Sequence, residues 1–261
     1  MESCRVCDSQ TNAVFIALVL EKYNVQYYKC PSCGFLQTEH PYWLAEAYKN
    51  AITTLDIGLL YRNRVTLPIL KGLIKLFFNK NKKFLDYGGG YGVLVRSMRD
   101  DGFNMYRYDT YCDNLFADGF DDEANGTRYE IVTAFEVFEH LEDPVEELRK
   151  MLMFGDSIFF STEIQPDRIV TPDNWWYVMP EIGQHIALHS LRSLKVLAGK
   201  YDLNFYSNGV NFHLFTRKHI SNFLFKSFLH YRVAKIIDPL LPNPDSLLMN
   251  DYEIIKQNLK Q

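Results

Sequence analysis

An α/β fold is what this sequence predicts: a mainly parallel sheet with helices on both faces, a small cysteine-bearing lobe in front of it and a helical tail behind. Strand-like and helix-like runs alternate from Lys82 to Lys200, the pattern of βαβ units. At Gly88-Gly89-Gly90-Tyr91-Gly92 a glycine-rich turn joins an apolar run to a helical one, the place where such sheets approach a ligand. Four of the five cysteines fall within residues 1–40 as two Cys-x-x-Cys knuckles, which is metal-ligand spacing rather than a disulfide framework.

The lobe, residues 1–40, holds two β-prone runs, Val14 to Leu20 and Val25 to Tyr28, divided by the polar stretch Glu21 to Asn24; a hairpin is expected between the knuckles. Residues 41–80 read as a helical connector, with helices over Tyr42 to Lys49 and Tyr61 to Phe78, the second bent or begun near Pro68. Residues 81–217 carry the sheet: strands at Lys83 to Tyr87, Met105 to Asp109, Ile131 to Phe135 and Ser157 to Ile164, and helices at Val93 to Arg99, Asp143 to Met153 and Leu191 to Lys200. Asp143-Pro144-Val145-Glu146 has the form of a helix start, with an N-cap acid, proline at the first helical position and glutamate three residues after the cap. Asn204 to Ser207 and Asn211 to Arg217 flank Asn208-Gly209, a hairpin turn signal, so the sheet should end in an antiparallel pair. Residues 218–261 read as a helical extension whose apolar stripe, Phe223, Phe225, Phe228 and Leu229, should pack on the body or on a second subunit of a homodimer.

Composition narrows the function classes. The chain of 261 residues is 47% hydrophobic and 23% charged, ordinary for a folded protein and too apolar for a disordered one. A net charge of −4 offers no field for a polyanion, and residues 1–40 contain only Arg5, Lys22 and Lys29 as cations, so nucleic acid is not an expected partner. The longest apolar run, Ala13 to Leu20, stops at Glu21 and Lys22, short of a membrane span. It also follows charged residues and lacks a cleavage site, so a cytoplasmic address is expected.

The sharpest motif is Asp86-Tyr87-Gly88-Gly89-Gly90-Tyr91-Gly92. The dinucleotide fingerprint needs a small residue where Val93 stands, whereas the spacing D-x-G-x-G-x-G is complete in Asp86, Gly88, Gly90 and Gly92. Asp109 closes the next strand, where an acid can accept hydrogen bonds from both ribose hydroxyls. The following strand runs into Phe135-Glu136-Val137-Phe138-Glu139-His140-Leu141-Glu142-Asp143-Pro144. These three segments resemble, in order, the motifs of the class I S-adenosylmethionine-dependent methyltransferases. The resemblance implies a Rossmann-like seven-stranded sheet with an antiparallel last strand. It also implies that Asp86, Tyr87, Gly88, Gly90, Gly92, Asp109, Phe135 and Glu136 hold S-adenosylmethionine, with His140 toward the acceptor; Glu139 is a further catalytic candidate, to which proton abstraction would pass if His185 does not perform it.

Cys4, Cys7, Cys30 and Cys33 form C-x2-C, 22 residues, C-x2-C, close to a zinc ribbon. A closed four-thiolate site leaves no open position, so its Zn2+ would be structural; a redox pair is the alternative. After the fifth strand, the segment from Thr171 to Ser190 groups Trp175, Trp176, Tyr177 and Glu181 with His185. Rings pack on the apolar faces of a sugar while polar groups read its hydroxyls, and His185 is the candidate general base, assisted by His140. Taken together, the lobe, the glycine turn, the Glu-His segment and this loop are similar to bacterial methyltransferases of glycan and deoxysugar biosynthesis. That resemblance implies methyl transfer to a nucleotide sugar or glycan, on oxygen or on carbon. Another acceptor (quinone, lipid or RNA base) and a non-catalytic S-adenosylmethionine-binding module are the alternatives.

Overall fold

The computed structural model describes residues 2–49, 52, 53, 55–122, 126–168 and 170–259. In chain order the elements are β1 (Asn12–Val19), β2 (Tyr23–Lys29), β3 (Leu36–Thr38), α1 (Leu44–Ala47), α2 (Leu59–Phe77), β4 (Phe84–Tyr87), α3 (Val93–Asp100), β5 (Met105–Tyr108), β6 (Ile131–Phe135), α4 (Pro144–Phe154), β7 (Ser157–Ser161), β8 (Ala187–Leu188), α5 (Leu191–Gly199), β9 (Asn204–Ser207), β10 (Phe212–Thr216), α6 (Asn222–Phe228), α7 (Tyr231–Ile237) and α8 (Leu248–Asn258). Two sheets result, one of order β1-β2-β3-β8 and a mixed one of order β5-β4-β6-β7-β10-β9. The chain divides into one unit of Met1–Leu55, Ala134–Leu152 and Ile158–His219 and another of Asp56–Thr133, Met153–Ser157 and Ile220–Gln261.

In the second unit, β4 pairs in parallel with β5 and with β6, as the alternating pattern requires. The large sheet has six strands among the described residues, not the seven expected. Where an outer strand would run beside β5 there is a single parallel bridge, Arg107 to Asp121. The sequence there, Ala117-Asp118-Gly119-Phe120-Asp121-Asp122, is poor in β-branched residues and rich in strand breakers. Pro68 does not start or end a helix but lies inside α2. Gly72 of α2 is required by packing, since a Cβ there would stand 1.9 Å from Phe228 Cζ. Phe225, Phe228 and Leu229 are accordingly buried while Phe223 is exposed, so most of the tail's apolar stripe is covered within the unit. Asp251 of α8 sits buried against Arg99, which grips both its carboxylate oxygens at 2.7 and 2.8 Å.

In the first unit, β1 alternates, with Ala17 and Val19 inside and Ile16 and Leu18 outside. Its hairpin turn is tighter than the polar stretch Glu21 to Asn24 suggested. Leu20 and Glu21 are the two central residues, with φ of 53° and 55°, and Lys22 N–H bonds the Val19 carbonyl at 3.0 Å. Such primed turns favour Asn-Gly because L side chains resist positive φ, at about 1–2 kcal/mol each. Here Leu20 is held by docking: its N–H donates to the Pro180 carbonyl at 2.9 Å, and its Cγ lies 2.9 Å from where a Cβ on Gly183 would be. The segment beyond Glu181 also returns as β8, pairing antiparallel with β3 at Leu36–Leu188 and Gln37–Ala187. No helix among the described residues is long and apolar enough to cross a membrane.

Candidate functional site

The glycine turn follows β4 directly. Gly88, Gly90 and Gly92 take φ of 71°, 53° and 83°, the left-handed region open to glycine at no steric cost. Gly92 is the N-cap of α3, so the turn ends on a helix N-terminus. Asp109 holds the turn from the side: its Oδ2 accepts from the Gly90 N–H at 2.8 Å, and its Oδ1 accepts from Tyr111 and Cys112 N–H at 2.8 and 2.9 Å. Asp86 stands behind the turn. Its Oδ1 accepts from the Thr133 hydroxyl at 2.6 Å, and its Oδ2 is 3.0 Å from where a Cβ on Gly89 would sit. Burial pushes this carboxyl up to about 7. Tyr87 is stacked on Tyr108 at 4.9 Å, inside the aromatic packing. The turn therefore has the open backbone and helix start that an adenosyl ligand uses in such folds.

The first unit collects the residues expected on the acceptor side. Phe135, at the end of β6, packs edge-on against Phe159 at 5.5 Å. Glu136 has a φ of 55°, a strained value for a non-glycine residue. The strain is held by Ser161, whose Oγ accepts from the Glu136 N–H at 2.9 Å and donates to its Oε1 at 2.6 Å. A 3-10 turn, Phe138–His140, then presents Glu139 and His140. The Glu139 side chain is 0% exposed, and neither carboxylate oxygen has a hydrogen-bond partner. Burial, with the charge of Glu136, raises its pKa to about 8. The hydroxyls of Tyr177 and Thr162 approach the carboxylate as donors, though neither makes a bond of normal geometry. Burial and the neighbouring His185 hold His140 down to about 3.

His140 and His185 stand edge to face, ring centres 5.0 Å apart, and Glu139, His140 and His185 bring one donor atom each to within 4.8 Å of one another. Tyr177 packs on His185 at 4.6 Å and Trp175 packs on Tyr177 at 5.5 Å; both rings are buried. Trp176 is 67% exposed and Glu181 is exposed, so neither belongs to the buried group. Ser161, the last residue of β7, and Thr162 directly after it lie beyond the reach of motif reading; their only signal is that polar residues follow the apolar run Ile158-Phe159-Phe160.

In the lobe, Cys4 Sγ lies 3.5 Å from Cys33 Sγ and Cys7 Sγ 3.4 Å from Cys30 Sγ, and all four sulfurs lie within 4.8 Å of one another as free thiols. Zinc–sulfur bonds of about 2.3 Å in a tetrahedron place sulfurs about 3.8 Å apart, so the donor set fits such an ion.

The fold and the glycine-bearing strand end define a class I methyltransferase. A family model described as "Methyltransferase domain" matches residues 61–208, more than half of the chain, and the chain belongs to that family. Among solved structures, the plantazolicin methyltransferase BpumL in complex with SAH is 13% identical, covering 67% of this chain and 94% of its own at a TM-score of 0.46. Magnesium protoporphyrin IX methyltransferase from Synechocystis PCC 6803 with bound SAH is 14% identical, covering 66% and 90% at 0.45. CalO1, a methyltransferase in calicheamicin biosynthesis, is 12% identical at 0.43, and the match spans 67% of this chain and 61% of that one. No curated protein matches.

Proposed function

We propose that the protein transfers a methyl group from S-adenosylmethionine to a small carbohydrate-like acceptor, a nucleotide sugar or a glycan. One observation carries the acceptor side: a buried Glu139 carboxylate without a hydrogen bond of normal geometry is grouped with His140 and His185, with Tyr177 packed on His185 and Trp175 on Tyr177. Burying such a carboxylate costs several kcal/mol, an expense a purely structural position avoids with an apolar residue. A polar centre under aromatic rings suits a ligand with apolar faces and many hydroxyls.

On the donor side, Gly88, Gly90, Gly92 and Asp109 would hold the adenosyl and amino-acid ends, and the sulfonium supplies an activated methyl group. The protein then aligns the acceptor and removes its proton, at His185 or Glu139 in this reading. Tyr177 and Thr162 set the orientation of Glu139. The Cys4, Cys7, Cys30 and Cys33 cluster takes a structural Zn2+. Because β3, the strand after the second knuckle, pairs with β8 next to His185, that ion would fix the acceptor loop as well as the lobe. Thiols kept free in this way go with a reducing, cytoplasmic setting.

The test is incubation with labelled S-adenosylmethionine and a panel of nucleotide sugars, oligosaccharides, a quinone and a short RNA, followed by mass spectrometry. A sugar one methylene heavier is the expected product. Label appearing only in the quinone or the RNA overturns the acceptor class, and cofactor binding without label transfer to any acceptor leaves a binding module.

A further inference from the structure

We propose that Glu139, His140 and His185 form a second metal site, separate from the four cysteines, which takes one divalent first-row transition ion through two imidazole nitrogens and one carboxylate. The tautomers carry the first part of the argument. His140 Nδ1 lies 3.1 Å from the Gln184 carbonyl oxygen and His185 Nδ1 lies 2.7 Å from the Tyr177 carbonyl oxygen. A carbonyl only accepts, so in both rings Nδ1 carries the proton and Nε2 carries the lone pair. A ring nitrogen donating to a backbone carbonyl while the other faces inward is the orientation that metal-binding histidines adopt.

Distance and burial carry the second part. Glu139 Oε1 and His140 Nε2 are 4.0 Å apart, too far for a hydrogen bond. Two donors each about 2.1 Å from a shared ion stand at most about 4.2 Å apart, and the three-donor set, within 4.8 Å, closes on an ion by small side-chain rotations. Neither Glu139 oxygen makes a hydrogen bond of normal geometry; the Tyr177 and Thr162 hydroxyls approach the carboxylate, and a cation would share it with them. The His140 side chain is 20% exposed and gives the ion its way in. Three protein donors leave a position open, the arrangement of catalytic rather than structural sites. Two imidazoles and a carboxylate suit Zn2+, Co2+, Ni2+ or Fe2+ better than Mg2+ or Ca2+. Resting on the sugar-acceptor reading, the open position would take an acceptor hydroxyl and make its proton easier to lose.

The experiment uses the full chain with Zn2+ already in the four-cysteine site, titrated with Co2+ and followed by visible absorption and elemental analysis. The expected result is one further Co2+ per chain, with weak ligand-field bands and no sulfur-to-cobalt charge-transfer band. Glu139→Gln and His185→Ala should each weaken that binding by at least about 100-fold, beyond the 10–100-fold that second-shell changes cost. Glu142→Gln, an exposed carboxylate nearby, should leave it intact. Circular dichroism and S-adenosylmethionine affinity report folding; where Glu139→Gln is unfolded, His140→Ala at the exposed edge takes its place. No further uptake at millimolar Co2+, unchanged uptake in the variants, or a thiolate band each overturns the site. Uptake without methylation of any sugar keeps the site and removes the acceptor reading; sugar methylation without uptake does the reverse.

Discussion

Replacing Asp86 by asparagine should make the protein more stable, and increasingly so as pH rises. The carboxyl is 4% exposed and burial lifts it from 3.8 to about 7, with Asp109 adding to the shift and Thr133 and Arg107 opposing it. A carboxyl with a raised folded pKa binds its proton more tightly in the native than in the unfolded chain. Its contribution is therefore most favourable below the unfolded value and falls as pH climbs to the folded one. At about 1.4 kcal/mol per unit, ionised Asp86 costs about 4 kcal/mol at pH 8.5 and about 1.5 kcal/mol at pH 5. Asparagine keeps an oxygen to accept from Thr133 and titrates nowhere. The stability difference between variant and parent should thus grow by about 2–3 kcal/mol from pH 5 to pH 8.5. Urea unfolding followed by circular dichroism, with amide exchange of β4, measures it. A difference that is the same at both pH values to within about 0.5 kcal/mol refutes the buried-acid account. Because the carboxylate lies behind the turn, the affinity for S-adenosylmethionine should change little; a loss of tenfold or more by calorimetry would place Asp86 on the ligand instead.

Gly90→Leu forces a side chain onto a φ of 53° at the backbone expected to meet the cofactor, so calorimetric affinity for S-adenosylmethionine should fall at least about tenfold while the first unit stays folded. Cys33→Ser should abolish uptake of the zinc proposed for the lobe, read by elemental analysis. It should also raise amide exchange at Ile186 to Leu188 through β3 and β8, with cofactor affinity unchanged; unaltered exchange there would separate the lobe from the loop. Burial holds His189 at about 3 and His213 at about 4, so stability is present above the unfolded value of about 6.5 and is lost as pH falls below it, up to about 3 kcal/mol each by pH 4. All three tryptophans, Trp43, Trp175 and Trp176, lie in the same unit as these histidines, so their fluorescence should report that loss, and a flat response from pH 7 to pH 4 would count against it.

Local chemistry decided which parts of this architecture could be read from the chain. Strands β4, β5 and β6 and the turn at Asn208-Gly209 announce themselves because their apolar runs and turn residues lie within a few positions. The glycine motif is legible for the same reason, since positive φ at Gly88, Gly90 and Gly92 needs that residue type. By contrast, β3 and β8 are three and two residues long and carry no period; they exist because Gln37 meets Ala187 across the fold. The Leu20-Glu21 turn defies local preference because a distant loop holds Leu20. The acidic and glycine-bearing stretch beside β5 shows how a family pattern overstates: the seven-stranded sheet it implies has six strands among the described residues, with a single bridge there.

The same contrast bears on the site. A motif indicates that Glu139 and His140 follow a strand, but not that Gln184 and Tyr177 carbonyls fix the two imidazoles or that Thr162 lies near the carboxylate. The two carbonyls come from one loop, which is tied in three ways: its Ile186 N–H bonds the Glu139 carbonyl at 2.9 Å, its β8 joins β3, and Ser190 Oγ donates to the Cys33 carbonyl at 2.7 Å. The last tie reaches a residue of the cysteine cluster itself. The lobe can therefore set the position of His185, since the cysteine knuckle, β3, β8 and the histidine loop form one hydrogen-bonded path. Rigid support of this kind is what a proton-handling or metal-holding group needs to stay within a fraction of an ångström of its working geometry.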